Sequence, residues 1–127
     1  SETGANIEAC RFRAALGSGM ALAQAANRYI EQRAPWRAIK DSREDAATTL
    51  WTALCVVNCL KMAFYPFLPF SSEKLHRMLG FAGSVQDQGW SWRPDMMTAS
   101  QELATPEPLF AKLDEAIIER ETERLAR

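Results

Sequence analysis

A run of apolar residues from Leu50 to Phe70 limits how this chain can fold. The run is long enough to raise the question of a membrane span, but Asn58, Lys61, Pro66 and Pro69 interrupt it. Charged and amide groups are costly in lipid, and proline ends a helix. The run therefore predicts a buried helix that is apolar nearly all round, as in the central member of a helical bundle.

A second apolar pattern predicts an amphipathic helix from about Asn6 to Arg33. Small, apolar and amide residues recur at spacings of three and four, which places them on a stripe ~80° wide at ~100° per residue. We predict that this stripe faces inward and consists of Phe12, Leu16, Met20, Ala23, Asn27 and Ile30. Asn27 is then a structural residue of the core, because a buried amide must find hydrogen-bond partners. Gly17 and Gly19 are expected where a neighbouring helix approaches closely.

Three helices are predicted after Arg33, and the first of them is the buried helix of the apolar run. The first runs from about Glu44 to Tyr65 and ends at Pro66. The second is capped by Ser71 or Ser72 and ends at Gly80, which favours the left-handed conformation. The third is capped by Asp114, whose short carboxylate suits a helix N-terminus, and it extends from Glu115 to about Ala126.

Residues 81–113 are rich in turn formers, and Trp90 and Trp92 alternate around Ser91. This alternation predicts a short extended piece that lays its indoles on the bundle. Together the patterns predict an all-α fold in one domain over residues 1–127. The domain has a helical core over 6–80, an extended segment over 81–113 that packs back, and a C-terminal helix over 114–127.

Composition excludes several classes of protein. With 127 residues and 47% hydrophobic content, the chain can bury one core. A charged fraction of 24% and a net charge of −1 fit neither a disordered tail nor a polycation. The charge is uneven, since residues 1–43 hold seven Lys/Arg against four Asp/Glu, whereas residues 44–127 hold eight against twelve. The first third therefore carries a modest basic excess of +3.

The chain shows few candidates for catalysis or metal binding. It has no Gly-rich phosphate loop, no GxSxG and no HExxH motif. Cys55 and Cys59 lie one helical turn apart in the apolar run, which indicates core packing, and His76 is the only histidine. We expect no catalytic residue, no metal and no cofactor in this chain. The odd number of cysteines, without CxxC spacing, and the lack of a visible signal peptide predict a cytoplasmic protein.

The segment around Pro35 and Trp36 is the candidate binding site. Helices usually stop before an X-Pro bond, so Trp36 is expected at a helix boundary. Four cations stand close to it in the sequence: Arg28, Arg33, Arg37 and Lys40. A flat aromatic surface ringed by cations suits an unstacked base and its phosphates. The alternative is that Trp36 is a packing residue and the cations are solvated surface charges.

Four ordered blocks of sequence carry a family resemblance over most of residues 11–114. They are Arg11–Leu16 with Asn27–Ile30 and Ala34–Trp36, then Leu60–Met62 leading to Tyr65–Leu75, then Trp90–Trp92, and last Glu107–Asp114. In this order they resemble the anticodon-binding domain of methionyl-tRNA synthetase. The last block departs from the family at Ala111, where proline is usual.

The resemblance implies an all-α helical bundle of the class I aminoacyl-tRNA synthetase anticodon-binding type, which inspects a CAU anticodon. In that family the tryptophan of the Pro-Trp pair helps to hold the splayed anticodon bases. This role would fall on Trp36, with Pro35 shaping the turn and the four nearby cations as candidate phosphate contacts. The implied partners are tRNA for methionine and a class I catalytic domain in cis or trans, with neither DNA nor membrane.

The HIGH-type and KMSKS-type motifs of the family's catalytic domain do not occur in this sequence. The chain is therefore expected to be a non-catalytic part of a methionine–tRNA ligase, with ATP and methionine bound by the catalytic domain. The family also reads the anticodon through an Asn and an Arg on an upstream helix. Because Asn6 falls where the next helix starts, we expect that upstream helix to lie outside this chain.

Two other interpretations stay open at this point. A helical protein-interaction module of the same fold would have no tRNA role and would use an apolar groove left open by the upstream helix. The other interpretation is an equivalent domain of another class I synthetase. The block with Asn-Arg-Tyr and Ala-Pro-Trp favours the methionine enzyme over it.

Overall fold

The part of the chain described by the computed structural model, residues 2–91 and 93–126, is all-α. The helices are α1 Glu2–Glu8, α2 Phe12–Arg33, α3 Pro35–Ala38, α4 Arg43–Phe64, α5 Pro69–Met78 and α6 Glu115–Leu125. Two short 3₁₀ turns, Gln86–Gln88 and Pro94–Met96, lie between α5 and α6, and no strand occurs within the described ranges. The predicted all-α fold is confirmed.

Helix α4 is the centre of the bundle and packs against α2, α3 and α5. It begins after Ser42, whose Oγ accepts a hydrogen bond from the backbone N–H of Asp45 at 3.2 Å, and Glu44 and Asp45 complement the helix dipole in the first turn. By length and composition alone, α4 is apolar enough to cross a membrane. Its contacts with three other helices are those of a core helix.

The helix predicted from Asn6 to Arg33 is in fact two helices. Helix α1 ends at Glu8, and the chain turns through Cys10, which has a left-handed φ of 55°. The backbone N–H of Arg11 closes the turn by donating to the carbonyl of Asn6 at 2.7 Å. The periodic pattern did not reveal this break, because cysteine is not a residue type that marks a left-handed turn.

The predicted inward stripe of α2 was wrong at four of its six positions, since only Ala23 and Ile30 are half-buried. Phe12, Leu16 and Met20 are 56%, 40% and 49% exposed, and Asn27 is exposed rather than in the core. The buried residues of this helix are Ala15 and Gly19. Small residues let α2 approach α4 closely, so the larger side chains of the stripe are turned to the flank of the contact.

Helix α5 begins earlier than the serine pattern predicted. Its first residue is Pro69, with Leu68 at the N-cap, and Ser72 lies buried inside the helix. Proline is favoured at a first helical position because its fixed φ suits the helix. The N–H that proline lacks would have no partner within the helix at that position. The predicted terminator is confirmed, since Gly80 follows the helix with φ of 80°.

The chain after Gly80 returns along α5. The backbone N–H of Ala104 donates to the carbonyl of Met78 at 3.0 Å, and the Gln101 side chain donates to the carbonyl of Leu79 at 2.8 Å. A β-carbon at Gly80 would collide with the carbonyl oxygen of Glu102, so only glycine fits there.

Residues 81–91 and 93–97, which we call the 81–97 segment, cover one side of α4. Met97 of this segment packs with Cys55 of α4 and with Leu79 in the buried cluster, and partly buried side chains surround them: Trp51, Leu54, Val57, Leu75 and Phe81. Trp90 is 49% exposed and follows the first 3₁₀ turn. Trp92 lies outside the described residues, so the predicted pair of indoles is seen only through Trp90.

Helix α6 begins as predicted. The Oδ1 atom of Asp114 accepts from the backbone N–H of Ile117 at 3.2 Å, which caps the helix. No residue of α6 is buried, and Ile118 and Leu125 are 67% and 88% exposed.

Candidate nucleic-acid interface

A left-handed residue forms the corner between α2 and α3. Ala34 has φ of 39° and ψ of 61°, and its N–H donates to the carbonyl of Ile30 at 2.8 Å, which closes α2. Pro35 then starts α3 at once, because its ring fixes a helical φ. The helix stop predicted before Pro35 is confirmed.

Backbone hydrogen bonds hold the corner firmly. The N–H groups of Arg37 and Ala38 both donate to the carbonyl of Ala34, at 2.8 and 3.0 Å. The N–H of Ser42 donates to the carbonyl of Ala38 at 2.7 Å and leads directly into α4. Pro35 is buried beneath this turn and α3 packs on α4, so the corner is anchored in the bundle.

Trp36 stands out from this anchored turn with 56% of its surface exposed. Within the described part of the chain, its ring makes no stacking or cation–π contact. Ile39 follows one turn later and is 55% exposed. Trp36 in α3 and Ile39 at the C-cap of this helix are thus two exposed apolar side chains three residues apart, and we call them the Trp36 platform (Trp36 and Ile39).

The sequence-predicted cations surround this platform along the chain and are all exposed: Arg28, Arg33, Arg37 and Lys40. None of them forms an ion pair in the ranges that the structure describes. Between Arg28 and Arg43 five cations face two acidic residues, Glu31 and Asp41, which gives a local charge of +3. The positive potential of this region is therefore not neutralised by internal pairing.

The structure brings some of the predicted site residues together more closely than others. Trp36 and Arg37 belong to α3, and Lys40 to the turn after it. Arg33 is the last residue of α2, whereas Arg28 lies five residues earlier, about 7.5 Å along the helix axis. Pro35 is buried, so it supports the platform from beneath.

Sequence reasoning missed Ile39 as part of this surface. The signal was present, since an apolar residue three positions after Trp36 and flanked by cations shares its helix face. It was not used because α3 itself was not predicted.

A second polar cluster lies inside the bundle, and sequence reasoning missed it as well. Lys61 and His76 are 1% and 0% exposed and contact each other, and Lys61 also donates to Oε1 of Gln88. Burial lowers the pKa of Lys61 to about 8, against a smaller opposing effect of Glu73. The available signal was a lysine in the middle of an apolar run, but nothing local identifies its partners.

The cysteines behave as core residues. Burial raises the pKa of the Cys55 and Cys59 thiols, so both stay protonated and uncharged at neutral pH. No group of three or more His, Cys, Asp or Glu side chains is placed to hold a metal ion within residues 2–91 and 93–126.

Comparison with known proteins shows the family to which this chain is similar. A family model described as the anticodon binding domain of methionyl tRNA ligase matches residues 1–127. The methionine–tRNA ligase of Dehalococcoides mccartyi is 44% identical over 124 residues, which covers 98% of this chain and 22% of that protein. The methionine–tRNA ligase of Roseiflexus sp. is 38% identical over 143 residues, covering 94% of this chain and 24% of that protein. The chain thus spans less than a quarter of the length of these curated relatives.

Proposed function

The chain belongs to the family of anticodon-binding domains of methionyl tRNA ligase, and from that premise we propose that it contacts the CAU anticodon loop of tRNA for methionine. The contact surface is the Trp36 platform with its surrounding cations. A class I catalytic domain, in cis or in trans, binds ATP and methionine and performs the aminoacylation. We place this reaction in the cytoplasm.

The observation that carries the proposal is the exposure of Trp36 on an anchored turn. More than half of the Trp36 surface is open, so a base can reach its ring. Bases in an anticodon loop can be splayed out and read by stacking on an aromatic side chain. Such stacking contributes about 1–3 kcal/mol per base. The anchored corner lowers the entropy lost on binding, because the platform is already in place.

The cations supply the second part of the contact. Arg33 and Arg37 flank the platform, and both side chains are exposed and without an ion pair in the described structure. Guanidinium groups bind phosphate through paired N–H donors. In our proposal Arg33, Arg37 and Lys40 bind phosphates of the anticodon loop. Arg28 binds a phosphate nearer to the anticodon stem.

The test is binding of this chain to an anticodon stem–loop with CAU, compared with a stem–loop of scrambled anticodon. We expect Trp36→Ala to weaken binding of the CAU loop about 5- to 150-fold, which corresponds to about 1–3 kcal/mol. Trp90→Ala is the matched control. Trp90 is similarly exposed, at 49%, but it follows the first 3₁₀ turn after α5 and is not part of the Trp36 platform. Equal affinities of the Trp36→Ala variant and the unchanged chain would rule out the stacking role.

One observation favours a second candidate, a helical interaction module without a tRNA role. Phe12, Leu16 and Met20 are exposed at successive turns of α2, and Met20 lines an apolar cavity of about 280 Å³ with Phe64 and Leu68. Contiguous exposed apolar surface marks interaction sites. Sedimentation separates the candidates: self-association abolished by Leu16→Glu, together with no stem–loop binding, supports the module. A monomer that binds the stem–loop through Trp36 supports the tRNA contact.

A further inference from the structure

The ammonium group of Lys61 joins three parts of the fold. Its Nζ atom lies 2.9 Å from Nδ1 of His76 in α5 and 2.9 Å from Oε1 of Gln88 in the first 3₁₀ turn. It also stands 4.3 Å from the ring centroid of Phe81, within cation–π range. One buried side chain of α4 therefore holds α5 and the 81–97 segment at the same time.

The hydrogen bonds fix the protonation state of His76. A lysine ammonium only donates, so Nδ1 of His76 must be without a proton to accept from it. The proton of the neutral ring is then on Nε2, which donates to the carbonyl of Ala82 at 3.1 Å. Phe81 stacks on the same ring with centroids 5.2 Å apart. The geometry as a whole requires an uncharged His76.

Two carboxylates complete the charged surroundings of His76. Glu73 of α5 accepts from the backbone N–H of Val85 at 3.0 Å, and Asp87 accepts from that of Ser84 at 2.7 Å. Burial is the main cause that lowers the pKa of His76, and Lys61 adds to it. The Ala82 carbonyl, Glu73 and Asp87 act in the opposite direction without reversing the result.

We propose that Lys61, His76 and Gln88 form a latch that holds the 81–97 segment on the helices, and that proton uptake by His76 opens it. A protonated ring would present an N–H at Nδ1 to the ammonium group 2.9 Å away, and two positive charges would share one buried site. The segment that is released carries Trp90, and its departure uncovers Cys55 and Leu79. This device is independent of the proposed anticodon contact.

The latch has a defined pH signature. The pKa of His76 is lower in the closed state than its ordinary 6.5, so the open state takes up a proton first and the closed state loses stability as pH falls below 6.5. The pKa of Lys61 is about 8 in the closed state against an ordinary 10.5, so the closed state gains stability as pH rises between these values. Between about 6.5 and 8 the opening equilibrium is flat.

Hydrogen exchange of single backbone amides in the 127-residue chain tests the latch. The reporter is the N–H of Val85, which Glu73 holds closed, with rates corrected for the intrinsic pH dependence of exchange. We expect its opening constant to rise up to tenfold per pH unit below 6.5, while amides in the middle of α2 show no such change. The sequence contains one histidine, and carboxyl groups ordinarily titrate about two pH units lower. Proton uptake between about pH 6.5 and 5.5 is therefore assigned to His76, and the response is measured in that window.

A substitution in the first 3₁₀ turn tests the same latch without changing a helix residue. Gln88→Leu is expected to raise Val85 exchange at least fivefold at pH 7, whereas Gln86→Leu, in the same turn and exposed, leaves it unchanged. The proposal is overturned if Val85 exchange shows no acid response, if α2 amides respond equally, or if the two variants behave alike. It is equally overturned if the His76 ring titrates at its ordinary 6.5.

Discussion

Gly19 of α2 faces Phe64 of α4 so closely that a β-carbon on the glycine would lie 3.2 Å from two atoms of the ring. This contact sets the distance between the two long helices. It explains why α2 presents small residues to α4 and leaves Phe12, Leu16 and Met20 outside the contact.

Substitution of the two glycines of α2 by alanine is expected to have unequal effects. Gly17→Ala meets no atom within 4 Å and is predicted to raise the free energy of unfolding by about 0.5–1 kcal/mol, through helix propensity alone. Gly19→Ala gains less, because the Phe64 ring must move, and Gly19→Leu loses about 1–3 kcal/mol by overpacking. Urea denaturation measures the three variants, and equal gains at both glycines would contradict the contact.

Ala34 is expected to be a position where glycine stabilises. Its left-handed backbone costs about 1–2 kcal/mol for a residue with a β-carbon. Glycine also makes the unfolded chain more flexible, which offsets part of this gain. Ala34→Gly is therefore predicted to raise the free energy of unfolding by about 0.5–1 kcal/mol. Ala25→Gly, exposed in the middle of α2, is the control and is predicted to lower it by about 1 kcal/mol. Thermal unfolding of both variants distinguishes strain relief from a general effect of glycine.

The salt dependence of stem–loop binding is expected to count the cations that contact phosphate. Each of Arg33→Gln and Arg37→Gln is predicted to reduce the slope of log affinity against log salt by about 0.7. Arg77→Gln serves as the control, because Arg77 is exposed in the last turn of α5. A slope that is unchanged in both platform variants would show that these arginines stay solvated in the complex.

The buried amide of Asn58 is predicted to lower the free energy of unfolding of the domain. It is 0% exposed, and neither its Nδ2 nor its Oδ1 atom has a hydrogen-bond partner in the described structure. A buried amide without a partner costs about 1–3 kcal/mol, so Asn58→Leu is expected to raise the free energy of unfolding by about 1 kcal/mol. Asn27→Leu, at an exposed site, is expected to change it little. A loss of stability in Asn58→Leu would show instead that the amide is paired.

Lys61→Met is predicted to remove the rise in folding stability with pH that the domain shows above about pH 8. The folded pKa of Lys61 is about 8, below its ordinary 10.5, so the unfolded chain holds one more proton between these values and folding stability rises with pH there. Methionine has a similar length and no charge, so the rise is expected to disappear. Denaturant titrations from about pH 7 to 9 measure it, because above 9.0 the raised thiol pKa of Cys55 and Cys59 lowers folding stability. An identical rise in the variant would assign the proton to another group.

The sequence predicted best those features that depend on a few neighbouring residues. The stop before Pro35, the left-handed Gly80 and the cap at Asp114 were all correct, because each follows from backbone geometry within one turn.

Features that depend on distant contacts were predicted less well. The spacing of apolar residues in α2 defines a stripe, but only the approach of α4 decides that Ala15 and Gly19, rather than Leu16 and Met20, are covered. The break at Cys10 accompanies the packing of α1 on α2, a contact that the apolar spacing does not reveal. The partners of Lys61 are 15 and 27 residues away, so no local pattern identifies them.

The close approach of Gly80 to the carbonyl of Glu102 has a consequence for how this domain can vary in evolution. Both ends of the stretch between them are pinned to the end of α5, by Gln101 on one side and by the helix itself on the other. A loop whose ends are already held together lengthens at little cost, about 0.6 kcal/mol for each doubling. Insertions are therefore expected to accumulate at the outer turns of this stretch, while position 80 stays glycine.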